Sequence, residues 1–567
     1  MKKIRTLLCS FTVALAMMAG LAAPQAEAAD YQDIPQQAAL AGEVQKAVDY
    51  GLMNGYSDTR FGYSDSMTRA QFTAVLVRMM GWETETTAAP TYGDVPVDHN
   101  WYGVVETAAA LGVRDHTYRN GTFDFRPGDA ITRAEMSKLL VQALSLEKAA
   151  SQLNYNRMIP DSETRHHTPF TDLPEGNEGY ISVAYTIGMT KGVTADTFGP
   201  NLTATRAQAA AMLVRIYEKM NTDTNFVHGF YAISSHNQLE LAQSMDVVSA
   251  GWSRMKWDGS TALLSTTSKD GNEFSIPQGY QEVTEVLEQN RIPLHLSVYM
   301  DASDGVVELL SSDAGRQLAV EQILGELTTA YKTIGKNPYS GVTIDFEAIG
   351  RENRANFVEF LRQLSTGLQT IPGETPALYV CVGLTPLDTT AYRNAYDYQA
   401  IGEPADKVIL MAHDYDPRVV ADYLPDTAYQ SCATVPLDRV YLDLRNVVER
   451  VDPSKIALAF SARSVVWQID QDGKLLSRKP ISVSTETVAK RLAQPDTVRG
   501  WSQDAQQSYA IYTTKDGSRY FLWYQDEASV AAELRTAKLL GVTGVSLWRL
   551  GTIPDYAEWN WNSLLRP

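Results

Sequence analysis

The chain has 567 residues, 44% of them apolar and 20% charged, with a formal net charge of −18. That length supports several domains with ordinary hydrophobic cores, and the acidic balance argues against nucleic acid as a partner. Three cysteines are too few for a disulfide framework.

Lys2, Lys3 and Arg5 precede an apolar run from Leu7 to Ala23, and Ala26-Glu27-Ala28 is a small-x-small cleavage pattern, so residues 1–28 read as a secretory signal peptide. Without it the net charge becomes −20 and no membrane-spanning stretch remains. Cys9 leaves with the leader and has no small residue before it, so no lipid anchor is expected. Pairing of Cys381 with Cys432 is left open by the sequence.

The tetrads Thr68-Arg69-Ala70-Gln71, Thr132-Arg133-Ala134-Glu135 and Thr205-Arg206-Ala207-Gln208 each open an apolar-periodic run. Thr followed three residues later by Glu or Gln predicts a capping box at a helix start. Upstream of each lies the same order: a start marker (Tyr31 to Ile34, Tyr92 to Val95, Phe170 to Leu173), a helix, then a Gly-containing turn with an aromatic residue (Phe61, Phe123 with Phe125, Phe198). Self-similarity of this kind signals a repeat module. It resembles three S-layer homology repeats, here 29–89, 90–150 and 166–224, a module that docks on anionic secondary polymers of Gram-positive-type cell walls. The resemblance implies that Arg69, Arg133 and Arg206 bind this polymer, a role that suits a planar guanidinium facing carboxylate or phosphate. Residues 145–167 are polar and read as a connector, with His166 and His167 facing solvent.

Residues 225–567 alternate strand-like and helical stretches, the pattern of a parallel β/α fold. Eight candidate strands (229–233, 246–252, 293–299, 341–347, 377–384, 407–413, 455–459 and 544–548) predict a (β/α)8 barrel. Between the last two, Asp472-Gly473 and Asp516-Gly517 are hairpin signals, so about 465–524 reads as an inserted β-rich subdomain.

The fourth candidate strand ends in Gly341-Val342-Thr343-Ile344-Asp345-Phe346-Glu347. Strand side chains alternate, so Thr343, Asp345 and Glu347 share one face. In barrel enzymes catalytic groups sit at the C-terminal ends of strands, where these two acids fall. The segment resembles the D-x-x-D-x-D-x-E signature of family-18 glycoside hydrolases, and within that family the cell-wall and spore-cortex-lytic N-acetylglucosaminidases. Mapped residue by residue, Glu347 is the general acid and Asp345 holds the substrate's acetamido group, while Ser340 and Thr343 replace the first two Asp. A second element, Met411-Ala412-His413-Asp414-Tyr415, resembles the family's M-x-Y-D, with His413 where the Tyr stands and Tyr415 adjacent. Trp548 falls where the family floors its central subsite. Trp252, Tyr299, Trp467, Trp523 and Tyr524 are further aromatic candidates for stacking on sugars.

The resemblance implies a wall-anchored, retaining hydrolase of β-linked N-acetylglucosamine in peptidoglycan, needing no metal or cofactor. A catalytically silent glycan-binding protein on the same barrel, or a secreted chitinase, are the alternatives.

Overall fold

The computed structural model describes residues 31–554 except 36, 86, 88, 120, 157–167, 233, 385–394, 414 and 416–432. The leader, His166, His167, Asp414 and Cys432 therefore lie outside the described residues.

Helices α1 (Ala41–Asp49), α2 (Arg69–Met79), α3 (Tyr102–Ala110), α4 (Arg133–Ala143), α5 (Glu147–Asn156), α6 (Glu178–Thr186) and α7 (Arg206–Met220) build the N-terminal module. Each repeat pairs two of them across an aromatic turn. Thr68, Thr132 and Thr205 each accept from the backbone N–H three residues on, and Gln71, Glu135 and Gln208 complete the three capping boxes. The start-marker acids fasten the turns: Asp33 accepts from the N–H of Phe61 at 2.7 Å, Asp94 from Phe125 at 2.7 Å and Asp172 from Phe198 at 2.7 Å.

The tetrad arginines join the repeats into a ring. Arg69 Nε donates to the Phe125 carbonyl (2.8 Å), Arg133 Nε to Phe198 (2.9 Å) and Arg206 Nε to Phe61 (3.0 Å). Each guanidinium lies over the ring of that same phenylalanine, 4.9 to 5.0 Å from its centroid. Repeat one thus grips two, two grips three, and three returns to one.

Residues 147–156, expected within a polar connector, form helix α5. Ala149, Ala150 and Leu153 supply an apolar stripe that is fully buried. It packs on α6, where Gly179 lies against the Ala150 carbonyl, and also on the barrel, which the local composition could not reveal.

The barrel strands are β1 (Phe226–Tyr231), β2 (Val247–Trp257), β3 (Leu294–Met300), β4 (Gly341–Phe346), β5 (Ala377–Val382), β6 (Lys407–Met411), β7 (Ile456–Ser461) and, after the insertion, β13 (Gly544–Trp548). All eight pair in parallel, and β1 closes the ring by pairing with both β2 and β13. Outer helices include α8 (Asp313–Thr328), α9 (Arg354–Leu368), α10 (Leu437–Val448) and α12 (Glu527–Leu539).

Strand β4 shows why the fold places the site where it does. Val342, Ile344 and Phe346 are fully buried, and Phe346 stacks on Phe360 of α9 with centroids 5.2 Å apart. That face points outward to the helices, so Thr343, Asp345 and Glu347 point into the barrel. Gly341 begins the inward face because the His295 ring fills the space: a Cβ there would lie 2.4 Å from Nε2.

The insertion is a five-stranded antiparallel sheet of β8 (Ser464–Ile469), β9 (Ile481–Val483), β10 (Val498–Ser502), β11 (Gln507–Thr513) and β12 (Arg519–Tyr524), with helix α11 (Thr485–Leu492). Trp467 and Trp523 are wholly buried within it, as Trp252 is within the barrel, and Tyr524 is nearly so. These four rings are core and present no face to a sugar, in keeping with the large apolar area an indole or phenol buries.

The two modules share a packed face. Helix α5 lies on α10, where Gln152 donates to Asp438 at 2.7 Å, and Lys148 pairs with Asp504 at 3.3 Å. Helix α7 lies against α12, where the Lys219 ammonium donates to the carbonyls of Leu539 (3.0 Å) and Ile187 (2.7 Å). Burial pushes that ammonium's pKa down. One continuous apolar core runs across the junction.

Candidate active site

Glu347 follows β4 directly, half-buried, with its N–H bonded to the Met300 carbonyl at 2.8 Å. The next residue, Ala348, has φ of +52°. A left-handed non-glycine residue costs about 1–2 kcal/mol, strain that is retained where it aims a functional group. Here it turns the chain sharply past the carboxyl.

Asp345 is only 4% exposed. Burial, and then the charge of Glu347, push its pKa up to about 8, so it holds a proton at neutral pH. The same burial and both acids raise the pKa of Tyr396, whose neutral hydroxyl donates to the Phe346 carbonyl at 3.0 Å and braces the end of β4. Cys381 on β5 is a free, buried thiol set beside Asp345 by the strand register, and its nearness pulls the Asp345 pKa down against the larger effect of burial.

Met411 and Trp548 join Cys381 and Phe230 in the apolar cluster lining the barrel, with Trp548 edge-on to Phe230 at 5.0 Å. Tyr299 lies nearby, its ring stacked on Phe274 at 4.4 Å and its hydroxyl donating to Asp301 at 2.9 Å. His413 is half-buried two residues beyond β6. Tyr415 turns outward: its hydroxyl donates to Asp443 of α10 at 2.9 Å, and Arg439 lies over its ring at 5.3 Å.

Thr343 lies beneath Asp345, fully buried in a hydrogen-bonded layer. Its hydroxyl meets Ser249 at 2.6 Å, Ser249 meets His228 Nε2 at 2.7 Å, and His228 Nδ1 meets Ser546 at 2.7 Å, while His295 approaches Thr343 at 3.5 Å. Burial pulls both histidines down to about 3, so the layer is neutral. The layer, Tyr396 and the contact of Cys381 with Asp345 escaped the sequence reading. The alternation of Tyr379 and Cys381 along β5 was the available signal, since it puts both on the inward face.

The tetrad arginines differ from one another in surroundings. Arg69 is 0% exposed and spent internally, on Asp115 (2.9 Å), Glu135 (2.8 Å) and the Asp115 carbonyl (2.7 Å) besides Phe125. Arg133 adds Thr190 Oγ1 at 2.8 Å, and Arg206 adds the Asn54 carbonyl at 2.7 Å and the face of the Tyr56 ring at 4.4 Å. Among the described residues, neither has a carboxylate within ion-pair distance.

Comparison with known proteins matches residues 224–552 to the family described as Glycosyl hydrolases family 18, and residues 30–73, 91–137 and 169–210 to the S-layer homology domain. A cortical fragment-lytic enzyme of Bacillus anthracis is 23% identical over 234 residues, 41% of this chain and 51% of that protein. An S-layer protein of Bacillus thuringiensis subsp. finitimus is 25% identical over 228 residues, 40% of this chain and 26% of that one. Among solved structures, the spore cortex-lytic enzyme SleL of Bacillus megaterium is 17% identical with a TM-score of 0.47, covering 66% of this chain and 79% of its own. A chitinase of Chromobacterium violaceum is 20% identical with a TM-score of 0.47, covering 60% and 97%. The chain spans about half the length, or less, of the first curated relatives it matches.

Proposed function

The chain belongs to glycosyl hydrolase family 18, and on that premise we propose that it cleaves β-linked N-acetylglucosamine in peptidoglycan with retention, anchored to a Gram-positive-type wall by its three S-layer homology repeats. The observation that carries this is the carboxyl pair at the end of β4, Asp345 buried and Glu347 half-buried on one inward face. Glu347 protonates the glycosidic oxygen while the substrate's acetamido oxygen attacks C1, giving an oxazolinium ion. The proton that Glu347 delivers comes from Asp345, which, now ionised, accepts the acetamido N–H, and Glu347 is left ionised for the next step. Water, losing a proton to Glu347, then opens the ring. This is the substrate-assisted exception to the two-carboxylate scheme, and no protein-bound sugar forms. Trp548 and Met411 floor the sugar, with His413 and Tyr299 around it. Thr343 acts from beneath. Arg133 and Arg206 meet the anionic polymer, and Arg69 contributes by holding repeat one to repeat two.

A second reading, glycan binding without hydrolysis, draws support from Tyr415, whose hydroxyl is committed to Asp443 in place of an acetamido carbonyl. Incubation with purified sacculi and with chitin oligomers, followed by mass spectrometry, separates the possibilities. Muropeptides with N-acetylglucosamine at the new reducing end are expected. Reducing-end N-acetylmuramic acid refutes the bond assignment, chitin cleavage with intact sacculi makes it a chitinase, and bound but uncut glycan favours the silent reading.

A further inference from the structure

Position 343, an acid in the family signature, is Thr343 here, and its hydroxyl is spent on Ser249 at 2.6 Å in the layer below. Asp345 must be oriented by something else. Strands β4 and β5 run in register from Gly341 opposite Ala377 to Ile344 opposite Val380, which sets Asp345 beside Cys381 on the inward face. Cys381 is a free thiol, 1% exposed. Oδ1 of Asp345 is buried and has no hydrogen-bond partner among the described residues. The other ionisable groups whose fields reach Asp345 are Glu347 on its own strand, Tyr299 from β3 and Tyr396 from beyond β5. Tyr299 donates to Asp301 and Tyr396 to the Phe346 carbonyl, so neither phenol serves it.

We propose that Cys381 is a positioning residue for Asp345, its S–H donating to the carboxyl that meets the acetamido group. The inference rests on the role proposed above for Asp345. A thiol suits the place: it is small enough for the crowded barrel interior and a weak donor, so it orients the carboxyl while letting it keep its proton. A donor favours the ionised carboxylate, so removing it raises the pH at which Asp345 gives up its proton.

The test is kinetics of the full chain on the soluble trimer of β-1,4-linked N-acetylglucosamine. Cys381→Ala is expected to lower kcat by about fivefold, the worth of one modest hydrogen bond, with KM nearly unchanged, and to move the basic limb of kcat to higher pH. Cys381→Ser, which restores a donor, should return kcat and place the limb at or below that of the wild type. In an Asp345→Asn background, Cys381→Ala should cost nothing further, because the thiol acts through that carboxyl. A folded Cys381→Ala enzyme with wild-type kcat and pH profile overturns the proposal. So does an equal loss in both backgrounds. Should Cys381→Ala not fold, a basic limb of Cys381→Ser above that of the wild type overturns it alone. If Asp345→Asn itself matches the wild type, the role of Asp345 fails, and that result is distinct from the others.

Discussion

Among the described residues, Asp345 is one of two buried carboxyls, with Glu533 of α12, whose pKa burial pushes up to about 8. Unfolded, Asp345 titrates near 3.8 and folded at about 8, so between those values the folded chain binds the extra proton and stability falls as pH rises. Asp345→Asn should lessen that slope and leave the share of Glu533, as read by urea unfolding at a series of pH values; an unchanged slope would remove Asp345 as a source. Glu347→Gln keeps the shape and loses the proton, and should lower turnover of the trimer by about a hundredfold to ten-thousandfold. Wild-type turnover on a substrate with a poor leaving group would show that Glu347 is not the acid. The facing of these two acids was legible in seven consecutive residues because strand periodicity is local. Their partners were not, because Cys381, Tyr396 and the His228 layer come from other strands and loops, and only barrel closure brings them in.

At the scale of elements, the capped helices were equally legible, whereas the ring was hidden: Arg69, Arg133 and Arg206 reach partners 56, 65 and 145 residues away. The ring makes the three arginines inequivalent in a testable way. Arg69→Ala removes a buried guanidinium from between Asp115 and Glu135, which keep Lys138 and Arg126 as partners, and should cost about 1–3 kcal/mol in denaturant unfolding. The double variant Arg133→Ala with Arg206→Ala leaves no carboxylate behind. It should release the protein from sacculi in a pelleting assay while sparing cleavage of the soluble trimer. Pelleting undiminished, with the variant shown to be folded, would contradict the anchoring role. Helix α5 was missed for a related reason. Its apolar stripe is three residues in a polar stretch, and its worth depends on α6 and on α10, the latter nearly three hundred residues on, as the 286-residue separation of Gln152 and Asp438 shows.

For the whole molecule, the shared core between repeats and barrel has an energetic signature. Modules joined by a bare linker melt separately, but a continuous apolar face couples them, so calorimetry should show one cooperative transition. Lys219→Met keeps the stem and strands two carbonyls, and should lower that transition, by about 1–3 kcal/mol of stability. Two well-separated melts in the wild type would mean that the face contributes little. The same joint bears on how the enzyme works its surroundings. A flexible tether lets a blade sweep a sphere; Lys219 and Gln152 hold this one at a set angle to its foothold. If the proposed function holds, an enzyme so fixed on a solid wall clears the strands within arm's length and then idles until growth of the wall, or release and rebinding of the foothold, brings fresh material. Its time course on sacculi should therefore be a burst whose size counts the bound molecules, followed by a slow phase paced by rebinding.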